Sequence, residues 1–226
     1  MAINDTQRIM ATPAPTPVVA DPGPLGLAAF ALTTFVLSAH NAGLFGFDKH
    51  ANTIVIGLAI FYGGLAQFMA GMWAFRNRNV FSATAFSTYG GFWLSLGTYL
   101  ALAAFGKVVA TDITVSLGWF LLGFAIFNTY MMLWALRING AVFGVFLTLE
   151  ITEILLFWGF FSGNVDIIHL GGYMGVITAI VAWYTSAADV INSMGTRPFL
   201  PVGTPLWRES AVGSSAVRPE PAPVRR

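Results

Sequence analysis

Residues 140–162 read GAVFGVFLTLEITEILLFWGFFS, an apolar run in which Glu150 and Glu153 are the charged side chains. As a helix it spans about 35 Å, more than the roughly 30 Å of hydrocarbon in a bilayer. Apolar residues fill both alternate faces, so the run has no period-two pattern and is not a strand. Lipid offers no partners to backbone N–H and C=O groups, which makes a helix the only open segment that can cross it.

Five further stretches of the same kind occur, at approximately 25–46, 52–75, 80–105, 114–136 and 166–190. Together the six predict an all-α membrane protein, a six-transmembrane-helix bundle whose short connections make sequential helices antiparallel neighbours. Composition agrees: of 226 residues 56% are hydrophobic and 9% charged, against roughly 25% charged in soluble domains. Mean hydropathy is +0.72. The chain thus divides into a tail at 1–24, a transmembrane domain at 25–190 and a second tail at 191–226. Pro13, Pro15, Pro17, Pro22 and Pro24 deny the first tail a helix. Pro, Ser and Arg make 197–226 read as disordered. The first apolar stretch is too long for the core of a cleaved secretory signal.

Charge sets the orientation. Arg76 and Arg78 separate the second and third stretches, and Arg137 the fourth and fifth. Arg197, Arg208, Arg218, Arg225 and Arg226 follow the sixth, and Arg8 precedes the first. Lys49 and Lys107 fall on the other side. Basic residues near helix ends stay cytoplasmic, so both termini are expected inside, in a multi-pass protein of the plasma or inner membrane.

Several function classes are excluded. A net charge of +1 gives no basis for a nucleic-acid partner. There is no cysteine, hence no thiolate nucleophile or thiolate metal site. His40, His50 and His169 lack metal-ligand spacing. Neither a phosphate loop nor a Gly-x-Ser-x-Gly elbow occurs. No enzyme, cofactor or metal centre is expected.

Polar groups placed where lipid should exclude them are the functional candidates. Phe30, Thr33, Thr34, Leu37 and Asn41 share one helical stripe, a mixture of ring and hydroxyl suited to a narrow path for a small polar solute. The plainer reading of each Thr is a hydroxyl bonded to a carbonyl of its own helix. Tyr62 and Gln67 lie in the second stretch, and Tyr89 near the middle of the third. The Tyr89 hydroxyl must either bond a neighbouring helix or face a pore. Glu150 and Glu153 repel each other across one helical turn, so at least one is expected to hold its proton. They are candidates for proton linkage, or else for interhelical hydrogen bonds. His169 joins them as a residue type suited to sensing pH, with interfacial capping as the plainer alternative. Gly140/Gly144 and Gly171/Gly175 have the spacing that lets helices approach closely.

The segment Asp21-Pro22-Gly23-Pro24-Leu25-Gly26-Leu27 resembles the Asn-Pro-Ala-Pro-Leu-Gly-Leu signature of the acetate uptake transporter family. His40-Asn41-Ala42-Gly43, Phe61-Tyr62-Gly63-Gly64 with Gln67, Thr84-Ala85-Phe86 through Phe92-Trp93, Ile167-Ile168-His169 and Leu200-Pro201-Val202-Gly203 follow in compatible order. The resemblance covers roughly 21–203. It implies a hexamer in which each protomer has its own path for acetate and related short carboxylates. It also implies a hydrophobic constriction of Phe30, Tyr89 and Leu149, with Ala182 a small residue that helps set which monocarboxylates fit. Asp21, Pro22, Pro24, Leu25 and Gly26 would lie at the cytoplasmic mouth. Asp21 departs from the family's Asn, and Glu150 and Glu153 are more acidic than its bacterial pattern.

The function expected is therefore a transporter or channel for acetate, succinate and other short carboxylates, linked to protons. Thr33, Thr34, Asn41, Tyr62 and Gln67 are the binding candidates. The alternatives are a hexameric channel for neutral solutes such as urea or short amides, and a membrane sensor or assembly protein without flux.

Overall fold

The computed structural model describes residues 19–44, 52–107 and 110–207. Arg8, Lys49, Arg208, Arg218, Arg225 and Arg226, with most of both tails, lie outside the described residues. The regular elements among the described residues are helices: α1 (Gly23–Asn41), α2 (Asn52–Ile60), α3 (Gln67–Arg76), α4 (Val80–Ala104), α5 (Ala110–Ala135), α6 (Gly140–Ser162) and α7 (Val165–Ser193). A π-helical segment, Phe61–Ala66, joins α2 to α3 in one continuous span.

Helix limits follow from local chemistry. Asp21 Oδ1 accepts the Gly23 N–H at 2.9 Å, and Pro24 fits the first turn of α1. Asn79, Asn139 and Asn164 cap α4, α6 and α7 by accepting the N–H groups of Ser82, Val142 and Ile167. The first helix ends at Asn41 rather than near 46, where Gly43 adopts φ +65°. In the π segment an extra residue widens the turn. A Cβ on Gly64 would there strike the Ala59 carbonyl oxygen, so the local backbone requires glycine.

Five helical segments are long and apolar enough to cross a membrane: Gly23–Asn41, Ile54–Arg76, Ile113–Ala135, Gly140–Ser162 and Val165–Ser193. α4, though 25 residues long, is not one of them. Ser82, Thr84, Ser87, Thr88, Ser95 and Thr98 dilute its apolar character.

The helices form a ring. α1 packs most closely on α7, α7 on α6, and α6 on α5; the α2–α3 span joins α1 to α4. α4 and α5 barely approach through their backbones, and aromatic rings fill the space between them. The small-residue spacing in α7 serves two neighbours at once. A Cβ on Gly171 would meet Leu156 of α6, and one on Gly175 would meet Ser38 Oγ of α1.

Burial departs from that of a water-soluble protein in the polar groups inside and the large apolar ones outside. Thr33, Ser38, Gln67, Asn128, Glu153, Thr178 and Thr185 are buried, whereas Phe61, Trp119, Ile126, Trp134 and Trp158 are exposed. Large apolar side chains around the rim with polar ones inside suit a lipid surround.

The segment after α7, read as disordered from 197 onward, is tied down as far as Trp207. Asn192 Oδ1 accepts the N–H groups of Phe199 and Leu200, and its amide donates to Leu200 O. Val202 O accepts from the Ala141 N–H at 2.9 Å, Leu206 and Trp207 N–H donate to Leu136 O, and Trp207 stacks on Trp134 with Arg137 over its ring. These contacts need backbone pairing with the α5–α6 turn, which composition does not reveal. Asn192→Ala removes three hydrogen bonds of roughly 0.5 kcal/mol each. Chymotryptic cleavage after Phe199 in detergent is then expected to quicken about tenfold.

Candidate functional site

Two cavities lie inside the ring, one towards each end. The first, about 240 Å³, is walled by Thr34, Leu37, Ser38, His40 and Asn41 of α1, by Phe92, Trp93 and Leu96 of α4, and by Thr152, Glu153 and Leu156 of α6, with α5 closing the side. The second, about 190 Å³, is walled by Asp21, Gly23, Gln67, Asn79, Phe86, Asn139, Phe146 and Asp189. Phe30, Tyr89 and Leu149 belong to both walls, and they are the residues the two cavities have in common.

These shared residues come from three helices and are held from behind. Phe30 meets the Tyr89 ring edge-on at 5.9 Å. Tyr89 in turn contacts Phe92, Phe124 and Phe127, the last at 5.6 Å. Gly26 faces the Phe86 ring so closely that a Cβ would overlap it at 2.7 Å. A partition built from packed rings and one leucine is apolar across its width, so a bare anion would lose most of its hydration there.

Behind the partition lies a polar network centred on Asn128 of α5, which is fully buried. Its amide donates to Phe146 O at 2.9 Å and to Glu150 Oε2 at 2.7 Å. Its Oδ1 accepts the Tyr89 hydroxyl at 2.9 Å, and the same hydroxyl lies 3.3 Å from Glu153 Oε1. The Thr129 hydroxyl donates to Glu150 Oε1 at 2.7 Å. Glu153 is 2% exposed, and its Oε2 has no hydrogen-bond partner. Tyr89 thus bonds another helix and also borders both cavities. Thr34 Oγ1 and Gln67 Oε1 are likewise buried without partners, one in each cavity wall. Such groups are available to a polar solute.

The remaining candidates sort unevenly. Asn41 lines the first cavity and Gln67 the second. Thr33 does not reach either wall: its hydroxyl donates to Ala29 O at 2.9 Å and its side chain abuts Gly63. Tyr62 is half-buried outside both walls. Ala182 is fully buried in the helix packing but borders neither cavity. His169 is exposed near Gly43, away from both cavities. Of the signature, Asp21 lines the second cavity, Pro24 O accepts the Ser186 hydroxyl, and Leu25 is 46% exposed. Pro22 precedes the first turn of α1, where its carbonyl accepts the Gly26 N–H.

Asn128 went unnoticed in the sequence reading, although a lone amide in an apolar run is the signal that singled out the glutamates. Asp189 was missed too, being one carboxylate near the end of a long apolar stretch.

Known proteins support the architecture. The GPR1/FUN34/yaaH family matches residues 4–204. Acetate permease A of Emericella nidulans is 40% identical over 204 residues, covering 83% of this chain and 67% of the relative. Succinate-acetate/proton symporter SatP of Escherichia coli is 36% identical over 185 residues, covering 82% of this chain and 96% of the relative. The solved structure described as that of the bacterial acetate channel SatP superposes with a TM-score of 0.77 at 36% identity, over 82% of this chain and 100% of the other.

Proposed function

The chain belongs to the GPR1/FUN34/yaaH family, and on that premise we propose that it moves acetate and related short carboxylates across a membrane, linked to protons. The observation that carries the reading is the pair of cavities divided by Phe30, Tyr89 and Leu149. A carboxylate waits in a polar-lipped cavity, sheds its charge by taking a proton, and passes an apolar neck as the neutral acid. Desolvating the anion there would cost several kcal/mol, whereas the acid crosses cheaply.

In this reading Asn41 and Thr34 receive the solute on one side and Gln67 on the other. Asp21, with Asp189, guards the second mouth. α4 is the sixth span, shielded from lipid by its neighbours, and both termini face the cytoplasm of a plasma or inner membrane. Of the described basic residues, Arg76, Arg78, Arg137 and Arg197 share the end of the second cavity, and Lys107 lies at the other. Six protomers assemble, each with its own path. Of the proton-linked candidates, Glu153 borders a cavity, Glu150 lies just behind it, and His169 sits outside the path.

Transport is tested by uptake of labelled acetate into proteoliposomes with and without an inward proton gradient. Uptake above protein-free liposomes, stimulated by the gradient, is expected; absence of both would refute the reading. A neutral-solute channel would instead pass urea unaffected by acetate or by protons. Asp21→Asn keeps the oxygen that accepts the Gly23 N–H while removing a negative charge from the mouth. The KM for acetate is expected to fall about threefold, from weaker repulsion over several ångströms.

A further inference from the structure

The hydrogens in the Asn128 network can be counted, and the count distinguishes the two glutamates. Asn128 donates through its amide nitrogen to two acceptors, Phe146 O and Glu150 Oε2. Those two contacts fix which end of the amide is nitrogen, so its oxygen faces Tyr89 and can only accept. Tyr89 has one hydroxyl hydrogen, and the shorter contact, 2.9 Å to Asn128, takes it. With that hydrogen taken, the 3.3 Å contact between the Tyr89 oxygen and Glu153 Oε1 is a hydrogen bond only where Glu153 supplies the hydrogen. Glu150, by contrast, receives one donor on each oxygen, from Asn128 and from Thr129, whose one hydrogen goes to the shorter of its two contacts, 2.7 Å to Glu150 against 2.9 Å to Ala125 O.

From this count we infer that Glu153 is the group that carries the coupled proton, kept protonated because Asn128 claims the Tyr89 hydrogen, while Glu150 is a fixed anion. The inference rests on the proton-linked transport proposed above and assigns the proton within it. Glu153 borders the first cavity, so a carboxylate there can take the proton directly: protonated Glu153 plus acetate gives ionised Glu153 plus acetic acid. The new anion needs a donor, and the nearest is Tyr89. The Tyr89 hydrogen swings from Asn128 to Glu153, and the hydroxyl's bond to α5 is exchanged for one to α6. Tyr89 is part of the partition between the cavities. Handing over the proton therefore moves one bond of the partition from α5 to α6 just when the solute has become neutral enough to pass it.

The groups around Glu153 are compatible with this role. α4 presents Tyr89, α6 presents Glu150 one turn earlier, and α5 presents Tyr130 within electrostatic reach of Tyr89. α1 brings His40 to the same cavity, and α7 adds no side chain to its wall, meeting α6 there through the Thr152–Thr178 contact.

Two measurements test the assignment. Infrared spectra of the acetate-free protein at neutral pH should contain a protonated-carboxyl C=O band that Glu153→Gln removes and Glu150→Gln leaves. A band undiminished in Glu153→Gln overturns the inference. In proteoliposomes Glu153→Gln keeps a hydrogen-bond donor to Tyr89 but has no proton to give. Its acetate uptake should lose stimulation by the gradient, a drop of about tenfold, and retained stimulation overturns the inference. Asn128→Leu frees the Tyr89 hydrogen to stabilise ionised Glu153, so the pH of half-maximal stimulation should fall by about one unit. No change in that pH overturns the role of Asn128. If the wild-type protein passes no acetate, the transport reading fails, and the infrared band alone decides the protonation of Glu153.

Discussion

Proteoliposomes carrying Leu149→Ala are expected to take up lactate about tenfold better relative to acetate than the wild type does. Leu149 is 6% exposed and borders both cavities, so its side chain is a large part of what separates them. Lactate exceeds acetate by one hydroxymethylene group, and a pocket discriminates a group of that size by about 1–3 kcal/mol. Removing three carbons should cancel much of this. The same change leaves a gap in the core and costs about 2–5 kcal/mol of stability, so the ratio must be measured on protein still folded in detergent. Leu149→Trp should act oppositely and reduce uptake of every carboxylate about a hundredfold. Two variants with unchanged lactate-to-acetate ratios would show that the neck lies elsewhere.

The largest effect on stability is expected from Gly172→Val. A Cβ at Gly172 would meet Ala42 N and come within 2.7 Å of Asn41 C and Ala42 Cα. These are backbone atoms, with no rotamer to yield, so α1 and α7 must separate along their most extensive contact. Overpacking typically costs 1–3 kcal/mol even where side chains can adjust, and this site should reach or exceed about 3 kcal/mol. The melting temperature in detergent should fall by about 10 °C. Gly91→Ala is the control, because nothing lies within 4 Å of the position its Cβ would take. Equal melting temperatures for the two variants would contradict the close approach.

How far the sequence can be read is clearest along α1. Phe30, Thr34, Leu37 and Asn41 of the proposed stripe do face the first cavity, but Thr33 does not. Successive residues on a helix are about 100° apart, so a stripe that includes both Thr33 and Thr34 is wider than one wall. Which neighbour each edge of the stripe meets depends on the register of α2–α3, which the π segment containing Gly63 shifts. The glutamates stand out because charge in an apolar run is conspicuous. Their partners do not, since Asn128 and Tyr89 are brought together across 39 positions of sequence only by packing. Ala182 illustrates the limit of motif matching: the resemblance gives it a part in solute choice, yet its methyl group lies in a helix contact outside both cavity walls. The segment 199–207 escaped because its partners, the Asn192 amide, the Trp134 ring and the Leu136 carbonyl, are met only through packing.

That segment has a mechanical consequence. By fastening the far end of α7 to the turn between α5 and α6, it closes those three helices into a loop that cannot splay at this end. Asp189 and Asn139 must then travel together as one jaw. Any widening of the second mouth falls to the opposing corner, where the α3–α4 turn is hitched to the start of the described chain by a single amide, Asn77 on Ala20 O at 3.2 Å.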